Sequence, residues 1–292
     1  MFITAKAQEA EATESEENIV MKLMGYKREN GRYGVRNHLL IIPASVCSSE
    51  TAVNIAKLVD GAIAIPHQHG CCEIGDDFDT TKRTLVGFGK NPNVGAVLVV
   101  GLGCEGIQAK DIADEIKTTG KPVEYIVIQE EGGTAKTVSK GVEIAGKMAR
   151  EISKQNKVEF DISEIILGLE CGGSDPTSGL ASNPSIGVAS DMLVSMGGSS
   201  ILSETTEVIG AEHLLYPRFE DENEGKKFLE MVKRVENRSI AAGHDLREGQ
   251  PTPGNKAGGL TTIEEKSLGC MHKAGHSPFK GTLEYAEELP TD

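Results

Sequence analysis

The feature that most constrains the fold is a regular alternation of short apolar runs with helical patterns, which begins at residue 39. The runs are rich in β-branched residues. The run VGAVLVVG at 94–101 is apolar almost throughout, as expected for a strand buried on both faces. Strands separated by segments of helix length are typical of parallel sheets with helical crossovers. The sequence therefore predicts an α/β fold with parallel or mostly parallel sheets, built as two Rossmann-like α/β units.

The boundaries of the elements follow from hydrophobic periodicity and from glycines at helix ends. Strands are expected at 39–43, 62–66, 94–101, 123–128, 165–169 and 200–202. Helices are expected at 49–59, 77–88, 107–119, 138–152, 186–196 and 228–243, with a short helix that starts near 262.

Three segments are predicted along the chain. Residues 1–24 are rich in Glu, Ala, Thr and Ser with little to bury, which is typical of a flexible acidic tail. The hydrophilic stretch SKQNKVEFD at 153–161 separates two series of strands and helices. We therefore expect a first α/β domain over 25–157 and a second over 158–292.

Charge and hydropathy exclude several classes of partner. Lys and Arg number 30 against 44 Asp and Glu, and the formal net charge of −14 disfavours nucleic acid and anionic membranes. No apolar run approaches the roughly 18 residues of a spanning helix, and the acidic N-terminus does not resemble a signal peptide. These features predict a cytoplasmic protein, in which the six cysteines are thiols or ligands rather than disulfides.

Reactive side chains are concentrated after the predicted strands. Ligands of open parallel sheets bind beyond the carboxyl ends of the strands, where the strand-to-helix loops converge. Five of the six cysteines stand there: Cys47, Cys71, Cys72, Cys104 and Cys171. His67, Glu105 and Glu204 also follow strands. This placement predicts a catalytic or metal site.

Several interpretations of these residues stay open. His67, with Cys71 four residues later, could ligate a metal that Glu105, Cys171 or Glu204 completes. The cysteines could instead be buried as small apolar residues. An iron–sulfur cluster held by cysteines of separate loops is less favoured, because no CxxC pair occurs. GLGCEG at 101–106 has the form of a dinucleotide-binding loop, but its Cys and Glu would bring a thiol and a negative charge towards a pyrophosphate.

Six segments, in order along the chain, resemble the large subunit or catalytic region of the altronate and galactarate dehydratase family. They are GYKRENGRYGVRN at 25–37, HQHGC at 67–71, GCE at 103–105, CGGSDPTSGLASNP at 171–184, SETTEVIGAE at 203–212 and GNKAGGLTTIEEKSLG at 254–269. The family includes the sulfolactate sulfo-lyase large subunit. Members that carry both parts begin with a small β-rich domain, so a separate small subunit is expected. The catalytic region of the family also continues further, so the second domain is expected to be truncated.

The resemblance implies a hydro-lyase that converts an aldonate or aldarate to a 2-keto-3-deoxy acid with Fe²⁺ or another divalent metal such as Mn²⁺. The alternatives are a sulfolactate sulfo-lyase, a sugar-acid-binding module without activity and a nicotinamide-dependent oxidoreductase. A homo-oligomer is also expected. The metal ligands implied by the resemblance are His67, Glu105, Cys171 and Glu204.

The resemblance also implies roles for polar residues of both halves. Asp175 is the candidate for proton transfer, and Lys266 either shares that role or holds the substrate carboxylate. The residues expected to bind the carboxylate and hydroxyl groups are Arg36, Asn37, Ser174, Asn183 and Asn255.

Overall fold

The structure, a computed structural model, describes residues 2–5 and 22–289 of the chain. Two compact units are present. The N unit comprises Leu23–Phe160 together with residues 286–289, and the C unit comprises Asp161–Tyr285 together with the first strand of the chain. Residues 6–21, which make up most of the predicted tail, lie outside the described residues.

The strands of the described residues are β1 Phe2–Ala5, β2 Lys22–Lys27, β3 Tyr33–Gly34, β4 His38–Pro43, β5 Ala62–Ala64, β6 Val94–Gly101, β7 Val123–Val127, β8 Val158–Asp161, β9 Ile166–Leu169, β10 Ser199–Leu202 and β11 Phe279–Leu283. The α-helices are α1 Val46–Lys57, α2 Asp76–Lys90, α3 Ala109–Lys117, α4 Ile128–Glu131, α5 Thr134–Ile152, α6 Asn183–Ser195, α7 Glu212–Leu215, α8 Glu222–Ala241, α9 Leu246–Gly249, α10 Pro253–Ala257 and α11 Ile263–Met271. None of the described helices is both long and apolar enough to cross a membrane.

The N unit is built on a parallel sheet in the order β5-β4-β6-β7. All eight residues of β6 are buried. Because side chains alternate across a strand, Val97 and Val99 pack on one face with α2 and α3, whereas Ala96 and Leu98 pack on the other face with α1 and α5. The predicted parallel sheet with helical crossovers is therefore confirmed in this unit.

The sheet of the C unit is mixed. In the order β11-β1-β10-β9, the pair β9–β10 is parallel, but β1 runs antiparallel to both β10 and β11. The sequence predicted β9 and β10 but neither β1 nor β11. The prediction of two Rossmann-like units is therefore not confirmed: the N unit has a parallel sheet, but in the C unit only the pair β9–β10 is parallel.

A third sheet, in the order β3-β2-β8, uses segments that were not predicted as strands. β2 overlaps the end of the predicted tail, and β8 lies in the hydrophilic stretch at 153–161. Gly25 permits this pairing, because a Cβ there would lie 2.6 Å from the Phe160 ring and 2.7 Å from the Gly34 carbonyl oxygen.

The loop that follows β5 crosses the turn between β4 and α1. The Val46 N–H donates to the His69 carbonyl at 2.8 Å. Gly70 has a φ of +90°, and a Cβ there would lie 2.5 Å from the Ala44 carbonyl oxygen. Only glycine fits this crossing, which holds the cysteine-rich loop against the start of α1.

Gly70→Ala should therefore destabilise the protein more than Gly31→Ala. Gly31 has a similar φ of +85° but nothing within 4 Å of its Cβ position, so it controls for the backbone strain alone. We expect crowding at Gly70 to lower the free energy of unfolding by about 1–3 kcal/mol beyond that control. Denaturant unfolding of both variants measures the difference, and equal losses would contradict the close crossing.

Candidate active site

A cavity of about 260 Å³ in the C unit collects four of the residues singled out in the sequence. It lies between the segment that follows β9 and helix α11. Its polar lining includes Ser174, Asp175, Asn183 and Lys266. Hydroxyl, carboxylate, amide and ammonium groups therefore face one space, as recognition of a polyhydroxy acid requires.

The walls of this cavity are fixed by hydrogen bonds between distant segments. The buried Asn183 side chain donates to the Gly269 carbonyl at 3.0 Å, which ties α6 to α11. Asn255 donates to the Ser174 carbonyl at 2.8 Å, and its side-chain oxygen accepts the Thr252 N–H at 3.1 Å. The amide of Asn255 thus supports the Ser174 loop, and α10 begins with this capping interaction.

Asp175 and Lys266 differ in how they are held. The Asp175 carboxylate accepts hydrogen bonds from the Thr177 hydroxyl at 2.6 Å and from the Thr177 and Ser178 N–H groups at 2.8 and 3.2 Å. These bonds lower the pKa of Asp175, the one from the Thr177 hydroxyl contributing most. Lys266 donates to the Gln250 side chain at 3.1 Å.

Cys171 follows β9 and lies in a cluster of reactive side chains. Its sulfur is 3.1 Å from that of Cys270, and the Lys273 ammonium donates to it at 2.9 Å. Its backbone N–H donates to Glu207 at 2.6 Å. Lys273 also forms an ion pair with Glu207, and both side chains are almost wholly buried, with 1% and 2% of their surface exposed.

This cluster shifts the protonation of its members. A hydrogen bond from Cys270 lowers the pKa of Cys171 to about 5, and the bond from Lys273 adds to the effect. Burial raises the pKa of Glu207 to about 8 against the attraction of Lys273. Burial alone would lower the pKa of Lys273, but hydrogen bonds to Cys171 and Glu207 outweigh it and raise that pKa. A thiolate stabilised by an ammonium is the result near neutral pH.

The same cluster has the donor spacing of a metal site. Cys171, Glu207 and Cys270 each offer one ligand atom, and these atoms lie within 4.8 Å of one another. In this arrangement, however, Lys273 supplies the positive charge that an ion would bring. A metal would therefore have to displace the ammonium from both Cys171 and Glu207.

Two of the predicted metal ligands lie in the N unit, and their polar atoms already have partners. The His67 ring donates from Nε2 to the Pro43 carbonyl at 2.8 Å and accepts the His69 N–H at Nδ1. The buried Glu105 carboxylate accepts the Leu102 and Gly103 N–H groups at 3.0 and 2.6 Å. Both side chains thus hold the loops in which they occur.

Glu204, the remaining predicted ligand, does not reach Cys171. It precedes the 3-10 turn Thr205–Val208 with a φ of +66°, is exposed, and accepts the Thr206 hydroxyl at 2.8 Å. The carboxylate beside Cys171 is that of Glu207, three residues later. The C-unit carboxylate next to the predicted thiol is therefore one that the ligand set did not include.

Arg36 and Asn37 lie just before β4, at the amino end of the parallel sheet. His67 and Glu105 follow the carboxyl ends of strands, at the opposite edge. The Asn37 amide accepts from Arg28 and donates to the Ile152 carbonyl, both at 2.9 Å, so it links β4 to the end of α5. The structure does not bring these two residues to the strand-end loops of the N unit.

Sequence reasoning missed Cys270 and Lys273 as members of the Cys171 cluster. Cys270 is the one cysteine that follows no predicted strand, since it lies in α11. The spacing of Cys270 and Lys273, three residues apart at a helix end, does place them on one face. That pattern was the available signal, but nothing in it identifies Cys171 as the partner.

Comparison with known proteins gives matches along most of the chain. The model of the D-galactarate dehydratase/altronate hydrolase second domain matches residues 25–153, and that of the D-galactarate/altronate dehydratase C-terminal domain matches residues 162–292.

Three curated relatives illustrate the similarity. The chain is 39% identical to (2R)-sulfolactate sulfo-lyase subunit beta of Chromohalobacter salexigens, over 90% of this chain and 68% of the relative. It is 35% identical to altronate dehydratase of Bacillus subtilis, over 95% and 57% of the two chains. It is 34% identical to galactarate dehydratase (L-threo-forming) of Escherichia coli, over 89% and 53%. All three names are those of lyases, and the chain spans just over half the length of the two dehydratases.

The pKa of Cys171 can be tested in chelator-treated protein by the pH dependence of its alkylation. We expect iodoacetamide to modify Cys171 with a midpoint near pH 5, because the thiolate is the reactive form. Cys270→Ala removes the main stabilising hydrogen bond and should move the midpoint to higher pH, whereas Cys270→Ser keeps a donor. Mass spectrometry of the peptide that contains residue 171 separates it from the other thiols. A midpoint near pH 9 for Cys171 in the protein without substitutions would contradict the hydrogen bonds described for this cluster.

Proposed function

Because the chain belongs to the D-galactarate/altronate dehydratase family, we propose that it eliminates water from an aldonate or aldarate such as altronate or galactarate, giving a 2-keto-3-deoxy acid. The family matches confirm the resemblance carried by the six sequence segments. The observation that supports the activity is the C-unit cavity, where Ser174, Asp175, Asn183 and Lys266 meet. Those groups suit a ligand that carries one or two carboxylates and several hydroxyls.

The elimination moves two protons. A base removes the proton on the carbon next to the carboxylate, and the hydroxyl on the following carbon leaves as water after it gains a proton. The resulting enol becomes the 2-keto-3-deoxy acid. Charge on the intermediate enediolate has to be stabilised by cations or hydrogen-bond donors.

We assign the roles as follows. Lys266 binds the substrate carboxylate, and Ser174 and Asn183 bind hydroxyl groups. Asp175 is the proton-transfer group, and its hydrogen bonds to Thr177 and Ser178 favour the ionised form that a base needs. Lys266 is the alternative for that role. Asn255 contributes by holding the Ser174 loop.

The proposal includes Fe²⁺ or another divalent metal such as Mn²⁺. When bound, the metal would act as a Lewis acid towards the substrate carboxylate and 2-hydroxyl. Cys171, Glu207 and Cys270 have suitable spacing, and a soft thiolate pair favours iron over magnesium. Lys273 stands in the cation's place there, so we derive no step through a metal at this cluster.

The relatives and the free thiols support proposals about the partner subunit and the cellular location. One relative is named as a subunit beta, which supports a separate partner subunit, here the small β-rich subunit. A homo-oligomer and a cytoplasmic location complete the proposal. All six cysteines are free, as suits a reducing compartment.

The second candidate is a sulfo-lyase that expels sulfite from (2R)-sulfolactate. It is favoured by the 39% identity to the subunit beta, of which this chain covers 68%. Both reactions eliminate a β leaving group from a 2-hydroxy acid, so the same base and carboxylate-binding groups serve either.

The test is anaerobic purification, addition of ferrous iron, and assays on altronate, galactarate and sulfolactate with and without a small subunit. We expect a 2-keto-3-deoxy acid from one of the two sugar acids. Sulfite from sulfolactate alone would move the assignment to the sulfo-lyase. Tight binding of a sugar acid without turnover under every condition would identify a binding module and contradict the proposed activity.

Lys266→Met should raise KM for the sugar acid by about tenfold to a hundredfold, because a hydrogen bond to a charged group contributes about 1.5–3 kcal/mol. Lys256→Met is the matched control, since Lys256 is an exposed lysine that does not line the cavity. A much larger fall in kcat than rise in KM would instead place Lys266 in proton transfer. Unchanged kinetics in Lys266→Met would remove it from the site.

A further inference from the structure

We propose that the N unit binds an iron–sulfur cluster through Cys47, Cys71 and Cys104, which come from the loops after three neighbouring parallel strands. The site is assigned from these thiols and their loops alone. It therefore stands independently of the reaction proposed above.

The topology brings the three loops to one edge of the sheet. Cys47 lies in the first turn of α1, directly after β4, while Cys71 follows β5 and Cys104 follows β6. In the sheet order β5-β4-β6-β7, β4 has the other two strands as its neighbours, and all three run parallel. The carboxyl ends of the strands, and hence the three thiols, meet at one edge. All three cysteines are exposed and free.

Hydrogen bonds and close packing fix the backbone of these loops. The Ala44 N–H donates to the Val100 carbonyl at 2.9 Å, which extends the ladder between β4 and β6 beyond the last residue of β4. The Ser49 hydroxyl donates to the His67 carbonyl at 3.1 Å, which ties the loop after β5 to α1. Gly70 packs against Ala44 immediately before Cys71. A preformed cysteine-rich surface results.

The thiols are close enough to influence one another. Cys71 donates a hydrogen bond to Cys72, with the two sulfurs 3.9 Å apart. The Val46 N–H donates to the His69 carbonyl, and this bond holds the loops that carry Cys47 and Cys71 side by side. Iron would bind these groups as thiolates, because a strongly positive ion favours loss of the proton of a coordinating thiol to solvent.

The spacing favours a cluster over a single ion. A tetrahedral ion binds thiolates at about 2.3 Å and draws the sulfurs close together. Among the described residues, only the Cys171 cluster brings three such ligand atoms within 4.8 Å of one another. Cys47, Cys71 and Cys104 do not meet that spacing, and they come from separate loops, as the cysteine ligands of a cluster can.

Cys72 is the residue that we leave out of the ligand set. It has a φ of +59°, and its sulfur is too near that of Cys71 for both to bind separate iron atoms. It therefore offers a matched control, since it is exposed and lies in the same loop.

Three protein thiolates leave one iron of a four-iron cluster without a cysteine ligand. That iron would be open to an exogenous hydroxyl or carboxylate group. Assembly needs no oxidant: a core of two ferrous ions, two ferric ions and four sulfides binds three thiolates, whose protons go to solvent.

The test is anaerobic loading of the full chain with equal amounts of ferrous and ferric iron and with inorganic sulfide. We expect about four irons and four acid-labile sulfides per chain, with the visible absorbance of a cluster. Cys47→Ser, Cys104→Ser and the double variant Cys71→Ser/Cys72→Ser should each lose most of the sulfide. Cys72→Ser and Cys171→Ser should retain it.

Two results would overturn the assignment: iron bound without sulfide, or equal sulfide in Cys47→Ser, Cys104→Ser and the unmodified chain. Circular dichroism of the unloaded variants establishes that they are folded, as expected for exposed positions. The readout is composition and spectrum, so it separates the cluster from the proposed function. If the chain binds the cluster but converts no sugar acid, the result supports the cluster site and contradicts only the proposed reaction.

Discussion

Burial of β6 on both faces is the constraint on which the N unit depends. All eight residues of this strand are shielded from water, and successive side chains supply the cores of two opposite helical layers. Such a strand needs a neighbour on each edge, and β4 and β7 provide them in parallel. Parallel strands end at a common edge, so the loops that follow them converge there. The grouping of four thiols is a consequence of this packing rather than a separate design.

The C unit depends on a buried charge cluster instead. Removing Lys273 or Glu207 from water is costly, and it is tolerated because each side chain meets the other and Cys171. The cluster joins the end of β9, the turn after β10 and the end of α11. The cluster adjoins the cavity through Cys270, which belongs to both the cluster and the cavity wall. The cluster thereby fixes the segments that present Asp175 and Lys266.

Patterns of burial were the most predictable part of the structure. The apolar run at 94–101 predicted β6 with its exact bounds, and helix periodicity located α2, α5 and α8. Strands β1 and β11 were not predicted, because short strands that pair across a long sequence separation leave little local signal. The third sheet was missed for a similar reason, since β8 is polar and relies on its partner rather than on its own burial.

The candidate site was predictable where residues follow strands and less so elsewhere. Ser174, Asp175 and Asn183 belong to one continuous segment, so a single resemblance located them together. Glu204 and Glu207 are the same residue type three positions apart. Glu204 has a positive φ and is exposed, whereas Glu207 is buried and accepts the Cys171 N–H. Lys273 lies about 100 residues from Cys171, and no sequence periodicity links them.

The central claim is that a sugar acid binds in the C-unit cavity, between the segment after β9 and α11. Hydrogen–deuterium exchange with galactarate, compared with the uncharged polyol galactitol, tests it most directly. The account predicts slower exchange in peptides covering 174–183 and 263–272 with galactarate and little change with galactitol. Slower exchange confined to other parts of the chain, with these two segments unaffected, would contradict it.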